Sequence, residues 1–276
     1  MKHLFKKILL AASGIAFIAL VTISLTSFSK DSKRMKLVWA DEFAQDGLPD
    51  STRWGYDLGD GCPKICGWGN NELQYYTSQR FQNARVTDGH LIIEAHREKM
   101  GDHAYTSARL VSKKKGDWTY GRIDVRAKLP VGIGVWPAIW MLPTDWVYGG
   151  WPGSGEIDIM EHVGYLPDSI FGTVHTNLFN GMLGTQQSKG VASNTISTTF
   201  HNYGIDWNAD KIDFLFDDKV YYTFYNRHEG SDAWPFDLDF HLLLNIAVGG
   251  NWGGKMGVDT AIWPQQMVID YVRVYQ

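Results

Sequence analysis

From residue 36 onward, hydrophobic and polar positions alternate in short bursts, with no sustained 3.6-residue stripe. Runs rich in β-branched and aromatic residues, bounded by Gly, Asp, Asn and Pro, predict strands over 91–94, 106–112, 120–129, 135–142, 171–175, 201–207, 211–216, 220–225, 241–248 and 268–275. The clearest is 121–129, where Ile123, Val125, Ala127 and Leu129 fall on one face. Asp217-Asp218 reads as a hairpin turn between two of these runs. Nothing between them has the period of a crossover helix, which argues against a parallel βαβ architecture. The chain shows no internal repeat or linker, so one all-β domain is expected, a sandwich or jelly roll.

The first 34 residues follow a different pattern. Lys2, Lys6 and Lys7 precede an apolar run from Ile8 to about Leu25 that only Ser13, Gly14, Thr22 and Ser24 interrupt, the form of a secretory signal. Ser27 and Ser29 supply small residues for cleavage after Ser29. The run also approaches membrane-spanning length, so an uncleaved anchor is the rival reading. Both put the remainder, from residue 31 to 276, outside the cytoplasm: extracellular, periplasmic or on the cell surface. Membrane association then depends on the anchor alone, and the folded part is expected to act as a monomer.

Charge follows the same division. The formal net charge is −4, but residues 1–34 hold six basic groups and one acid, a balance of +5, which leaves 20 basic and 29 acidic groups, or −9, in the rest. An acidic domain offers no basic face to nucleic acid. Two cysteines exclude a disulfide-framework miniprotein. Cys62 and Cys66 enclose three residues and in an oxidising compartment can pair, stiffening the segment from Gly67 to Glu72; two buried thiols are the alternative. All 12 tryptophans lie in the acidic part, more than a core of this size requires.

One segment breaks the strand period. In Gly155-Glu156-Ile157-Asp158-Ile159-Met160-Glu161-His162, Glu156 and Asp158 share a face, and strict alternation turns Glu161 the wrong way. A β-bulge near Met160 would bring Glu161 back beside them. The flanking isoleucines and methionine imply that both faces are covered, which distinguishes this strand from an ordinary solvated acidic one. Carboxylates crowded on a covered face repel, so one must keep its proton. A retaining glycosidase needs this arrangement: two carboxyl groups about 5–5.5 Å apart, one nucleophile and one acid/base.

The hexapeptide Glu156–Glu161 resembles the E-x-D-x-x-E signature of glycoside hydrolase family 16 in its bulged, laminarinase-like form. So do the segments 67–77, 136–142, 172–176 and 245–254, in family order, and the resemblance spans essentially everything after residue 36. It implies a β-jelly-roll sandwich of two curved antiparallel sheets, with the cluster lining a glycan cleft. It implies Glu156 as nucleophile, Glu161 as acid/base and Asp158 as the residue that separates their titrations. The expected activity is endo-hydrolysis of β-1,3-glucan with retention, mixed-linkage β-1,3/1,4-glucan being a further substrate. No catalytic cofactor is expected.

Aromatic rings stack on sugar C–H faces. Trp136 and Trp140, four apart on one strand, and Trp252 in a Gly-rich loop are expected platforms, and Trp68 and Asn71 are placed to wall subsites. Arg85, which matches a family position, is expected to bind sugar hydroxyls, a surface salt bridge being the rival reading, and His175 to hydrogen-bond near the carboxylates, the rival there being a core histidine. The remaining tryptophans are assigned to the core. His162 has no clear role, and 177–182 has no strong family analogue. Val268, Asp270, Val272 and Val274 read as one face, so Asp270 interrupts an apolar row. Relatives often bind a structural calcium with a terminal-strand Asp and an early Glu, which makes Asp270 and Glu42 candidate ligands; a strand end emerging into solvent is the alternative.

Two other readings remain. A non-catalytic glycan-binding sandwich explains the tryptophans but not the intact carboxylate set. A β-galactan hydrolase of the agarase or carrageenase type shares the fold, although sulfated substrates favour a basic cleft. The Asn70-Asn71-Glu72 segment favours glucan.

Overall fold

A computed structural model describes residues 35–276, and the basic N-terminal segment, where a signal or anchor is expected, lies outside the described residues. Among the described residues no helix is long and apolar enough to cross a membrane. They form a sandwich of two eight-stranded sheets plus a small two-stranded one. The all-β architecture is the one the alternating pattern predicts.

The first sheet runs Lys219–Tyr225, Lys211–Phe216, His201–Trp207, Gly121–Lys128, Gln265–Tyr275, His90–Ala95, Ala84–Thr87, with Leu37–Asp41 also paired to the long terminal strand. The second runs Gln187–Ala192, Ser169–His175, Glu156–Glu161, Val135–Pro143, Phe240–Val248, Arg109–Val111, Gly55–Asp57, with Asp117–Trp118 beside Phe240–Val248. Every pairing within these two sheets is antiparallel.

Inner faces of the two sheets make one core. Ile123, Val125, Ala127 and Leu129 are buried as their alternation requires, opposite Ile139, Met141, Ile157, Val174, Leu242, Leu244 and Ile246. Asp217 and Asp218 both take positive φ, 47° and 63°, which gives the expected tight turn the twist a hairpin needs. The predicted run 106–112 is two strands: Tyr105–Ser107 pairs in parallel with Gln74–Tyr76, while Arg109–Val111 joins the second sheet. One apolar run served two sheets, a division the local pattern does not encode. The Phe240–Val248 strand is buried at every position, because the 72–77 segment covers part of its outer face: Gln74 accepts from the Val248 N–H, and Asn245 donates to the Tyr76 hydroxyl.

Asp270 requires a correction. The register of the terminal strand shifts between Ile269 and Tyr271, so Met267 and Ile269 face the core before the shift and Val272 and Val274 after it. Asp270 and Val268 point outward, and no carboxylate interrupts an apolar row. Asp270 is ion-paired with Arg126, while Glu42 accepts from Arg273 at 2.8 and 2.9 Å. Each side chain already has a cationic partner, so this pair does not fit a calcium ligand set.

Candidate active site

The carboxylate strand carries the bulge that its odd spacing calls for. On one side Trp140 pairs with Asp158, Ile139 with Met160 and Ala138 with Glu161, which leaves Ile159 without a counterpart. On the other, Glu156, Asp158 and Glu161 lie opposite His175, Thr173 and Phe171, alternate residues on a single face. Ile157, Ile159 and Met160 all point into the core. Two successive residues therefore face inward, and Glu161 returns to the outer face with Glu156 and Asp158.

Each acid has a distinct environment. Glu156 accepts from the Trp151 indole N–H at 2.7 Å, and Glu161 from the Trp136 indole N–H at 3.1 Å. Asp158 is almost fully buried between them. Burial, reinforced by the adjacent Glu156 charge and by a hydrogen bond to that carboxylate, pushes the Asp158 pKa well up. The raised pKa favours a proton on Asp158, beside the Glu156 carboxylate. Burial also raises Glu161 well above the usual range, with Asp158 and Glu156 adding to it and His175 and the Trp136 donor opposing it.

These raised values bear on stability. Above the unfolded-chain value of about 4, the native state still holds protons that the unfolded chain releases, so stability falls as pH rises. Replacing Glu161 by glutamine removes that penalty. The Glu161→Gln variant is expected to melt above the wild type at pH ~8, the gap closing as pH falls towards ~4. Thermal melts across that range check it; a gap that widens on acidification contradicts it.

His175 Nε2 lies 3.3 Å from Asp158 and 3.9 Å from Glu156. Its Nδ1 accepts the Gly181 backbone N–H at 3.2 Å, which places the proton of the neutral ring on Nε2, facing the carboxylates. Glu156, Asp158 and His175 are the one group among the described residues close enough to hold a metal ion. An ion on Nε2 would require Nδ1 to carry the proton and so oppose the Gly181 donor. The tautomer therefore favours a hydrogen-bonding role over a ligand role.

The expected platforms sit on the same face. Trp136 and Trp140 are half-buried on the strand beside the acids, and Trp140 donates to Asn245 at 2.7 Å. Trp252 meets Trp136 edge-on at 5.6 Å and Phe171 at 5.4 Å. Contrary to its isolated appearance in sequence, it is held by two rings. A Cβ on Gly253 would fall 2.6 Å from the Gly249 carbonyl and 2.7 Å from Trp136, so only glycine lets this loop fold so closely over the strand. Asn71 donates to Asn251 at 2.8 Å and lies beside the same loop. Cys62 and Cys66 form the expected disulfide.

Arg85 is a correction. It lies in the other sheet between the core residues Ala84 and Val86, so it points away from the sandwich on the far side from the acids. There it pairs with Glu94 at 2.6 Å. His162 is buried, bonds the Ser169 carbonyl through Nδ1 and is kept neutral by burial, which lowers its pKa. It is a core histidine.

Trp151 is a further correction: assigned to the core with the remaining tryptophans, it is exposed and reaches Glu156 from an aperiodic Gly-Trp-Pro-Gly turn, its position five residues before Glu156 being the only signal it offers. Gly181 acts through a backbone N–H, which has no sequence signature.

A β-sandwich bearing this carboxylate row among aromatic rings on the outer face of one sheet belongs to the class of glycan-cleaving hydrolases. The chain is a member of glycosyl hydrolases family 16, whose model matches residues 71–273. It is 51% identical over 272 residues to a beta-glucanase of Rhodothermus marinus, covering 95% of this chain and 93% of that one. A glucan endo-1,3-beta-glucosidase of Cryptopygus antarcticus is 43% identical over 232 residues, 79% of this chain and 82% of the relative. The X-ray structure of the laminarinase from Rhodothermus marinus superposes with a TM-score of 0.85 at 53% identity, covering 88% of this chain and 97% of that one.

Proposed function

We propose that this glycoside hydrolase is an exported, retaining endo-β-1,3-glucanase acting on laminarin-type glucans. The observation that carries the reading is the bulge, which sets Glu156, Asp158 and Glu161 on one face with an indole N–H on each glutamate. The raised pKa of Glu161 suits a residue that must reach the substrate protonated. In the first step Glu161 gives its proton to the glycosidic oxygen while Glu156 attacks the anomeric carbon; the C–O bond to the leaving chain breaks and a glycosyl ester forms. In the second, Glu161 takes a proton from water, whose oxygen attacks the same carbon and releases Glu156. A proton on Asp158 beside Glu156 disperses charge on the nucleophile until it is needed and restrains its orientation. Every group in the scheme comes from the chain, and none requires a cofactor.

The names of the relatives support β-1,3-glucan as substrate, as does the placement of Asn71 beside the Trp252 loop. Incubation with laminarin, barley-type mixed-linkage glucan and agarose, followed by proton NMR of the first products, tests the proposal. Laminarin should give internal cleavage with the β-anomer appearing first, and agarose none. Absence of new reducing ends from laminarin, or the α-anomer first, would refute it.

A further inference from the structure

Arg109 is 7% exposed, yet no step of the chemistry uses it. Its guanidinium carbon lies 3.8 Å from the Trp68 ring centroid and 5.4 Å from those of Tyr76 and Trp140. Its charge is held by Asp57, which accepts from Nε at 2.8 Å and from Nη2 at 2.6 Å. A guanidinium clamped by a carboxylate and set over an indole at this distance is restrained in position.

Register gives its place relative to the acids. Asp57 pairs with Arg109, Arg109 with Asn245, Asn245 with Ala138 and Ala138 with Glu161, one transverse row across the second sheet on the outer face. Arg109 is thus three strands from Glu161, ~14 Å at the usual spacing. Trp140 lies between, its N–H on Asn245, whose amide in turn donates to the Tyr76 hydroxyl at 3.0 Å. Trp68 comes two residues after the Cys62–Cys66 disulfide, and its own N–H is used on the Gly59 carbonyl. The half-buried Trp140 and Trp68 indoles therefore follow one another from the catalytic strand towards the edge of the sheet, both against the same guanidinium.

We propose, resting on the glucanase reading above, that Arg109 is a positioning residue for the polysaccharide. With Asp57 it fixes Trp68 in line with Trp140, extending the row of sugar platforms outward, so that it sets the preference for long chains over short ones. Lysine at this position can still answer Asp57 but has no guanidinium to set over the indole. The loss from Arg109→Lys should therefore depend on substrate length, which a merely structural ion pair would not produce.

The test compares wild type, Arg109→Lys, Trp68→Ala and the double variant on β-1,3-gluco-oligosaccharides of increasing length and on laminarin, with thermal melts to establish folding. Arg109→Lys should lose about tenfold in kcat/KM on the longest substrates, carried by KM rather than kcat, the loss vanishing on the shortest one cleaved. Trp68→Ala should lose as much, and the double variant no more than either single one, since both remove the same platform. A loss independent of length, one carried by kcat, or additive losses would overturn the inference while leaving the glucanase reading intact. Failure of the wild type to cleave laminarin would defeat both.

Discussion

Glu156→Ala is expected to reduce turnover on laminarin by about 10⁴-fold or more, because in the proposed scheme Asp158 and Glu161 have other roles and neither replaces the attacking carboxylate. The loss should fall on kcat. Binding should survive, since the platforms Trp136, Trp140 and Trp252 are held by Glu161, Asn245 and one another rather than by Glu156. Deleting the carboxylate leaves a gap on the face it would attack from. Added azide can enter that gap and, given a β-glucosyl substrate with a good leaving group, should yield the α-linked glycosyl azide. The inverted product is the diagnostic result: azide has replaced the nucleophile, and Glu161 is untouched. A β-linked azide from this variant would transfer the nucleophilic role to another residue, and near-normal hydrolysis would remove the assignment altogether.

Sequence legibility follows how local each cause is. The strands of the first sheet are visible because one face is core and the other polar, as Ile123, Val125 and Ala127 show against Arg122, Arg126 and Lys128. The bulge is visible because it is a conflict within six residues: Glu161 has the wrong parity for its neighbours, and only an extra residue resolves it. Asp270 shows the limit of the same logic. A second register shift lies there, but the valines at 268, 272 and 274 satisfy a plain alternation, so the sequence contains no conflict to betray it. Hydrophobic parity reveals a bulge only where the wrong face would be occupied by a charge that cannot be left there.

Long-range pairings are the less legible part. Arg85 and Arg109 are both arginines on short strands beside small or apolar neighbours, and nothing local distinguishes them. One turns to the far side of the sandwich and pairs with Glu94; the other enters the row of the catalytic face because its strand lies three places from Glu161 in the sheet order. Strand order is set by how the whole chain closes, and side-chain roles that depend on it can be read only from the fold. The same holds for the Gly181 N–H that settles the His175 tautomer.

Replacing Glu161 should separate the two halves of the reaction. Glu161→Ala is expected to lose about 10²–10⁴-fold on laminarin, whose sugar leaving group needs a proton, and far less in the first step on an aryl glucoside whose phenolate leaves unaided. The second step still lacks a base, so the glycosyl ester on Glu156 should accumulate and appear as a burst of phenol. Azide, which needs no deprotonation, should discharge that ester and give the β-linked glycosyl azide, the opposite anomer to that from Glu156→Ala. The pH profile supplies an independent check. In the proposed scheme only protonated Glu161 starts the reaction, so the wild-type kcat/KM should fall as pH rises through its elevated pKa. With Glu161 gone that alkaline limb should disappear from the aryl-glucoside reaction. Its persistence would mean that the limb belongs to another group, and that the burial which raises Glu161 is incidental to catalysis.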